Sequence, residues 1–457
     1  MPFTSSARAP KTLLALIALC ATPSALASEV RVMTLAQPAG IDDEALVFTY
    51  PSLVNRYSLA IAEFGTAADR EAYVGAMTQT SWGSVGAAFS RDQSVFNHFS
   101  ATTRSTNDND FVASHFGRYS FSRKYSSTVG VSARRPIDLF YGRPLDVDRG
   151  FGVRLTLAGD TNEVSSTTGT TKRNAEQVDL GLGYHMPAAT GRIDLGLSLG
   201  LLGKLESSNS PQGGQKTENT YERGLSARLS GRWVETQATV VKPYLKSSLE
   251  YATPKLKTSA AGTSQSKKAK DIGFDVQGGA IIALNEDTQL NAGGGVFYLQ
   301  SEGPFSLGAP GVAPGNAESE SSSSSAAISD ALRAGTETVT PTFAGPRATR
   351  RAYGAALNGG AEALLTETVG VLAGVNYMLW GRVTTKNKAA VGEPKYTTNL
   401  VETPDSDLWS IGLFYKREAL RIDAATAFKR LVHNGPHFIT GQSTPGVVAW
   451  FAASYRF

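Results

Sequence analysis

The chain has 457 residues, with Lys+Arg 44 against Asp+Glu 40, 46 Gly and a single Cys. At 41% hydrophobic residues and a net charge of +4, it is neither a disordered chain nor a strongly basic nucleic-acid binder. Frequent Gly with only 5 Met leans toward β structure, and no internal apolar run reaches the ~18 residues of a spanning helix.

Arg8 and Lys11 precede an apolar stretch from Thr12 to Ala21, and Ala25-Leu26-Ala27 follows as a small-x-small site. These are the three parts of an export signal in order, so residues 1–27 are expected to be cleaved. Cys20 leaves with them, which excludes disulfides, thiolate metal sites and a cysteine nucleophile from the mature chain. Leu19 before Cys20 argues against a lipoprotein. Residues 28–54 form a separate N-terminal segment that carries Leu35, Ile41, Leu46, Val47, Phe48 and Leu53. These side chains need cover from water. Asp42-Asp43 within it reads as a solvated turn, with Ca²⁺ binding as the sharper alternative.

From residue 55 to 457 the chain reads as one all-β unit. Candidate strands cover Asn55–Gly65, Tyr73–Arg91 (as one strand or two), Phe111–Ser122 and Ser126–Arg135. Period-two alternation is plain beyond them. Phe151, Val153, Leu155 and Leu157 oppose Arg154 and Thr156; Val178, Leu180, Leu182, Tyr184 and Met186 oppose Asp179, Gly181, Gly183 and His185. After a turn, Ile193, Leu195, Leu197, Leu199 and Leu201 oppose Arg192, Asp194, Gly196, Ser198 and Gly200. Val369, Val371, Ala373, Val375, Tyr377 and Leu379 oppose Gly370, Gly374, Asn376 and Arg382. Side chains alternate across a strand, so each run has one apolar and one polar face. In an exported chain this pattern predicts a transmembrane antiparallel β-barrel of 14–16 strands, apolar toward lipid and polar toward the lumen.

Short links near 187–190, 235–237, 285–287, 366–367 and 417–418 alternate with long ones, the longest at Ser301–Arg350. Outer-membrane barrels have short periplasmic turns and long external loops. Tyr184, Trp233, Tyr415, Tyr455 and Phe457 near short turns, and Tyr251, Tyr298 and Tyr353 near long loops, form two interfacial girdles. Glu318-Ser319-Glu320 and five serines in the longest loop read as a hydrated surface, with a lid as the alternative. The last strand alternates Phe451, Ala453, Tyr455 and Phe457, and resembles the assembly signal read by the β-barrel assembly machinery of the bacterial outer membrane.

A second resemblance lies at the mature N-terminus. Arg31-Val32-Met33-Thr34-Leu35-Ala36, Asp42-Asp43 and Tyr50-Pro51-Ser52-Leu53 resemble the opening of FadL-type long-chain fatty-acid transporters and their PorV-like relatives. The family's paired glycines are absent, and Tyr50 and Ser52 stand for its Asn and Ala. The resemblance implies an N-terminal hatch in the barrel and diffusion of hydrophobic molecules. The residues themselves leave open whether 28–54 plugs the lumen, adds a strand or packs under the rim.

The inward face is expected to carry Arg154, Arg192, Arg228, Arg232, Lys242, Lys246, Arg382, Lys416, Arg421 and Lys429, with Asp179, Asp194, Asp275, Glu250, Glu362 and Asp423. A lumen of both signs points to water inside. Chemistry is otherwise sparse. His433 and His437 flank Asn434-Gly435-Pro436 and do not share a helix face, and no spacing singles out a catalytic triad, a metal set or a cofactor loop. No enzyme, cofactor or nucleic-acid partner is expected. Lipid, lipopolysaccharide and a hydrophobic small molecule are the expected partners. Two classes of function remain: a passive channel or facilitated transporter, and a structural or partner-binding barrel.

Overall fold

The computed structural model describes residues 29–35, 40–65, 73–89, 134–167, 169–212, 214–222, 224–238, 240–260, 263–268, 270–304, 347–388, 397–402, 408–429 and 448–457. The export signal, the Phe111–Ser122 strand, nearly all of Ser126–Arg135, the serine run of the longest loop, and His433 and His437 lie outside them.

The wall begins with β1 (Leu59–Gly65), β2 (Tyr73–Thr80), β3 (Gly83–Phe89), β4 (Arg134–Pro144), β5 (Gly150–Ser166), β6 (Gly169–Pro187) and β7 (Gly191–Pro211). In the next three places two segments run end to end: β8 (Thr217–Glu222) with β9 (Ser226–Glu235), β10 (Val241–Ala252) with β11 (Lys255–Ala260), and β12 (Thr263–Lys268) with β13 (Lys270–Ala283). β14 (Thr288–Pro304), β15 (Arg347–Leu364) and β16 (Val369–Lys388) follow, then β17 (Thr397–Glu402) with β18 (Leu408–Arg417), β19 (Leu420–Lys429) and β20 (Val448–Arg456). Neighbours pair antiparallel throughout, and β20 pairs with β1 from Leu59↔Arg456 to Gly65↔Trp450. The result is a closed barrel of sixteen strands, at the upper end of the expected 14–16. Closure satisfies the backbone along both would-be edges, which lipid requires. Tyr73–Arg91 holds two strands, turning at Ser81 and Trp82.

The expected alternation sets the two faces. Leu139, Leu157, Leu182, Leu195, Leu229, Leu249, Val276, Val296, Leu357, Leu413 and Phe451 are exposed on the outside of successive strands, while Arg154, Asp179, Arg192, Asp194, Arg232, Arg421 and Asp423 are buried on the inside. An apolar surface that circles the molecule is far larger than the isolated patches of water-soluble proteins, and it matches a hydrocarbon solvent. Tyr184, Trp233, Tyr415 and Tyr455 stand on this outer face toward the short turns; Tyr251, Tyr298 and Tyr353 stand on it toward the long loops. Phe451, Tyr455 and Phe457 are all outward, and the Phe457 amide donates to the Ser58 carbonyl at 3.1 Å across the seam.

One inward assignment is corrected. The register of β15 and β16 shifts between Ala355 and Ala356, so Ala356 pairs with Met378 and Ala355 with Trp380. The extra residue in β16 reverses its parity beyond that point. Arg382 then pairs with Tyr353, whose ring meets Trp380 edge-on at 5.8 Å. Arg382 therefore stands on the outer face.

Candidate functional site

The N-terminal segment lies inside the barrel. It contains α1 (Glu29–Thr34) and two 3-10 turns, Glu44–Phe48 and Pro51–Arg56. Asp43 caps the first turn: its carboxylate accepts from the Ala45 amide at 2.7 Å, which satisfies one of the free donors at a helical start. Pro51 opens the second, where a missing N–H costs nothing. The segment inside the barrel includes the turn Pro51–Arg56, and β1 begins at Leu59.

Three sectors of the wall hold it. The turn Pro51–Arg56 packs on β3, β4, β5 and β6. Arg154 donates to the Phe48 carbonyl there, and Asn55 donates to the Phe151 carbonyl at 3.0 Å. Gly152 and Gly196 permit the close approach, because a Cβ on either would overlap the Pro51 or Thr49 carbonyl.

In the second sector Asp42 pairs with Arg192 at 2.6 Å and with Arg232 at 2.9 Å. Both arginines also hold Asp194, at 2.8 and 2.6 Å, and Arg232 donates to the Ile41 carbonyl at 3.2 Å. In the third sector the charges are reversed. Arg31 from α1 pairs with Glu362 at 2.6 Å; Arg421 pairs with Glu362 at 3.0 Å and with Asp423 at 2.9 Å. Ser410 donates to the Thr34 carbonyl at 2.8 Å.

Apolar contacts fill the remainder. Val47, Phe48, Tyr50, Leu53, Val54 and Tyr57 form one cluster with Leu59, Ile61, Met77, Ala88 and Phe140 of the wall. Leu35 and Ile41 form another with Leu372 and Phe414. Phe48 and Phe140 meet edge-to-face with ring centroids 5.1 Å apart, a preferred aromatic geometry.

Two neighbouring hatch carboxyls behave oppositely. Burial works to raise Asp42, but Arg232 and Arg192 outweigh it and hold the group below its ordinary value. Burial pushes Asp43 up to about 6, against the Ala45 amide and Arg31, with Asp423 adding to the rise. Glu44 is pushed well up by burial and by Asp43 and Glu63. Asp43 is fully buried, whereas the Asp42 side chain keeps 43% exposure and pairs with arginines. Among the described residues no group of three or more His, Cys, Asp or Glu is placed to hold a metal ion.

The structure brings together Arg192, Arg232 and Asp194, and separately Arg421, Glu362 and Asp423. Arg154 lies 3.7 Å from Asp138. Arg228 pairs with Glu250 at 2.9 Å and approaches Asp275 at 4.0 Å, forming a third inward group on β9, β10 and β13. Asp179 accepts from Gln177, and Lys246 is buried on β10. Lys242 and Lys416 keep the inward parity of their strands, and the Lys429 side chain lies outside the described residues. Residue spacing did not single out Arg31, Asp42 and Glu44 from the hatch. The available signal was on the wall: Tyr244, Phe297, Leu372 and Phe414 are apolar residues at inward parity and must meet something in the lumen.

No known family matches the chain by sequence, and no curated protein does. Among solved structures it matches a Pseudomonas aeruginosa FadL homologue at 11% identity and TM-score 0.41, over 94% of this chain and 98% of that one. It also matches the monoaromatic hydrocarbon channel TodX, as a deltaS2 mutant, at 9% identity and TM-score 0.32, over 93% and 98% of the two chains. The copper transporter OprC follows at 10% and 0.32, over 88% and 81%. At such identities and scores the likeness carries nothing about substrate.

Proposed function

We propose that the protein is a bacterial outer-membrane transport barrel whose lumen is closed by its own N-terminal hatch, passing small or hydrophobic molecules by passive diffusion. The observation that carries this reading is how the hatch is held. It contributes no strand to the wall and is fixed by side-chain ion pairs, hydrogen bonds and apolar contacts. Such a segment can shift without breaking a single ladder hydrogen bond of the barrel. Sixteen-stranded walls enclose an aqueous channel when nothing fills them, so displacement of the hatch opens a route.

The lining favours amphipathic or hydrophobic cargo. Beneath the hatch, β1 to β4 present Leu59, Ile61, Met77, Ala88 and Phe140 inward with the carboxyls Glu63 and Asp138, while β5 to β10 present more charge, arginines included. A molecule with an apolar body and a polar end finds partners for both. The test is single-channel conductance in planar bilayers, with and without a fatty acid or an aromatic hydrocarbon. Deletion of residues 29–48 should leave an assembled barrel with larger, steadier conductance and weaker hydrophobic uptake. An assembled deletion variant with unchanged conductance sinks the hatch, and silence in both forms favours a non-transporting scaffold.

A further inference from the structure

The outer face just above the external aromatic girdle is strongly uneven in charge. Phe274, Tyr298 and Tyr353 pair in one row across β13, β14 and β15, and Trp380 of β16 joins Tyr353. Phe274 and Tyr298 stack at 5.6 Å. One outward position higher, about 7 Å along the strand, stand Gln300 above Tyr298 and Arg351 above Tyr353; because of the bulge, Arg382 stands above Trp380 and level with Tyr353. Lys270 lies two positions above Phe274 and over the Tyr251 ring at 5.7 Å. Lys268 and Lys386 continue the stripe upward. The one carboxylate among described side chains of this stripe is Glu302 on β14, opposite Lys270 in the register, which leaves the stripe with a net positive charge.

The opposite side, β5 to β8 with β11, balances its charges. Lys172 pairs with Glu163 at 3.7 Å, Lys204 with Glu206 at 2.6 Å, Lys257 with Glu222 and Lys216 with Glu218. The excess on β12 to β16 is therefore a local feature of the wall, not a general property of its rim.

We propose that Lys270, Arg351 and Arg382, extended by Lys268 and Lys386, form a docking stripe for phosphorylated headgroups of outer-leaflet lipid. Height selects the partner. The stripe faces away from the lumen and begins level with the outermost lipid-facing aromatics, which is the interfacial depth of headgroups rather than of acyl chains or bulk water. Gln300 accepts from Tyr298 at 2.8 Å and from Arg351 at 3.1 Å, so the aromatic belt and a guanidinium are held in one polar group. Arginine offers a planar fork that matches phosphate oxygens. This inference rests on the membrane placement of the wall and not on transport; its failure would leave conductance untouched.

The test uses the full-length protein in nanodiscs, with native mass spectrometry to count bound lipid A, a bisphosphorylated acylated disaccharide. Wild type should retain it in preference to dephosphorylated lipid A. Each basic residue near a charged surface is worth about fivefold in affinity. Lys270→Gln with Arg351→Gln and Arg382→Gln should therefore lower retention at least about tenfold, whereas Lys172→Gln with Lys204→Gln should not change it. Inorganic phosphate should fail to compete. Unchanged retention in the triple variant, equal loss in the control, equal binding of the dephosphorylated lipid, or competition by inorganic phosphate overturns the proposal. If the triple variant does not assemble, wild type decides. Phosphate-dependent retention that falls with rising salt supports the stripe, and retention indifferent to salt refutes it.

Discussion

Two of the three sectors that hold the hatch fit it by different physics. On β1 to β4 it meets Leu59, Ile61, Met77, Ala88 and Phe140, a mostly apolar seat whose buried carboxyls are Glu63 and Asp138. Hydrophobic burial is non-directional, so this seat fixes depth but tolerates sliding. From β5 to β9 it meets Arg154, Arg192, Asp194 and Arg232, where ion pairs demand one register. An apolar seat with a charged latch is easier to release than either surface alone would suggest. Loss of a few directional contacts frees a segment whose other contacts can re-form nearby.

The sharpest way to break this division is at the latch. Arg232→Met leaves Asp194 buried with Arg192 alone and removes one of the three arginines that pair with Asp42. Removing one partner of a buried pair costs about 3–5 kcal/mol. The expected outcome is faster amide exchange across residues 40–57 and frequent open events, with the barrel still heat-modifiable on gels. Loss of the barrel instead would show that Arg232 serves the wall and not the hatch.

The matching change in the apolar seat is Leu53→Ala. Leu53 is fully buried, and truncation at such sites costs about 3 kcal/mol. If the seat tolerates sliding, amide exchange should rise less than in Arg232→Met and conductance should become noisier rather than open. Equal opening in both variants would erase the distinction drawn between the two surfaces.

A smaller, pH-dependent effect separates Asp42 from Asp43. Asp43 is raised from 3.8 to about 6, so its contribution to docking is complete below 3.8 and is lost as pH rises through about 6. Glu44 acts in the same direction. Asp42 is lowered, so its contribution is complete above 3.8 and is lost only in stronger acid. Open probability should therefore climb from pH 4.5 to 7, and Asp43→Asn should flatten that climb. A flat wild-type profile would contradict it. The smallest expected effect is on selectivity. Arg228 faces Glu250 and Asp275 inside the lumen, so Arg228→Glu should move the reversal potential in a salt gradient slightly toward cations. A move toward anions would place this group outside the conducting path.

The charged surface was legible in the sequence and the apolar one was not, for a physical reason. Arg192 and Asp194 stand between Ile193 and Leu195, so a period of two assigns them at once. Leu59-Ala60-Ile61-Ala62 is apolar on both faces, because one side meets lipid and the other meets the hatch. Alternation vanishes where a lumen is lined with apolar residues, and the N-terminal strands are blurred in the sequence for that reason. Arg382 failed differently: a bulge at Leu379 leaves no mark in a run of apolar residues, yet it reverses every side chain beyond it. Asp42 was unreadable because its partners are 150 and 190 positions away.

The hatch touches the wall in an order that runs against the chain. Its last turn, Pro51–Arg56, lies on β3 to β6; Asp42 reaches β7 and β9; α1, which comes first, lies on β16, β18, β19 and β20. Followed from β3 round to β20, the wall therefore meets the hatch from back to front. Each new arc finds its lining already in place, and the final seam between β20 and β1 closes beside the first residues of the segment. A chain lacking the hatch should therefore be slower to close its wall as well as easier to traverse.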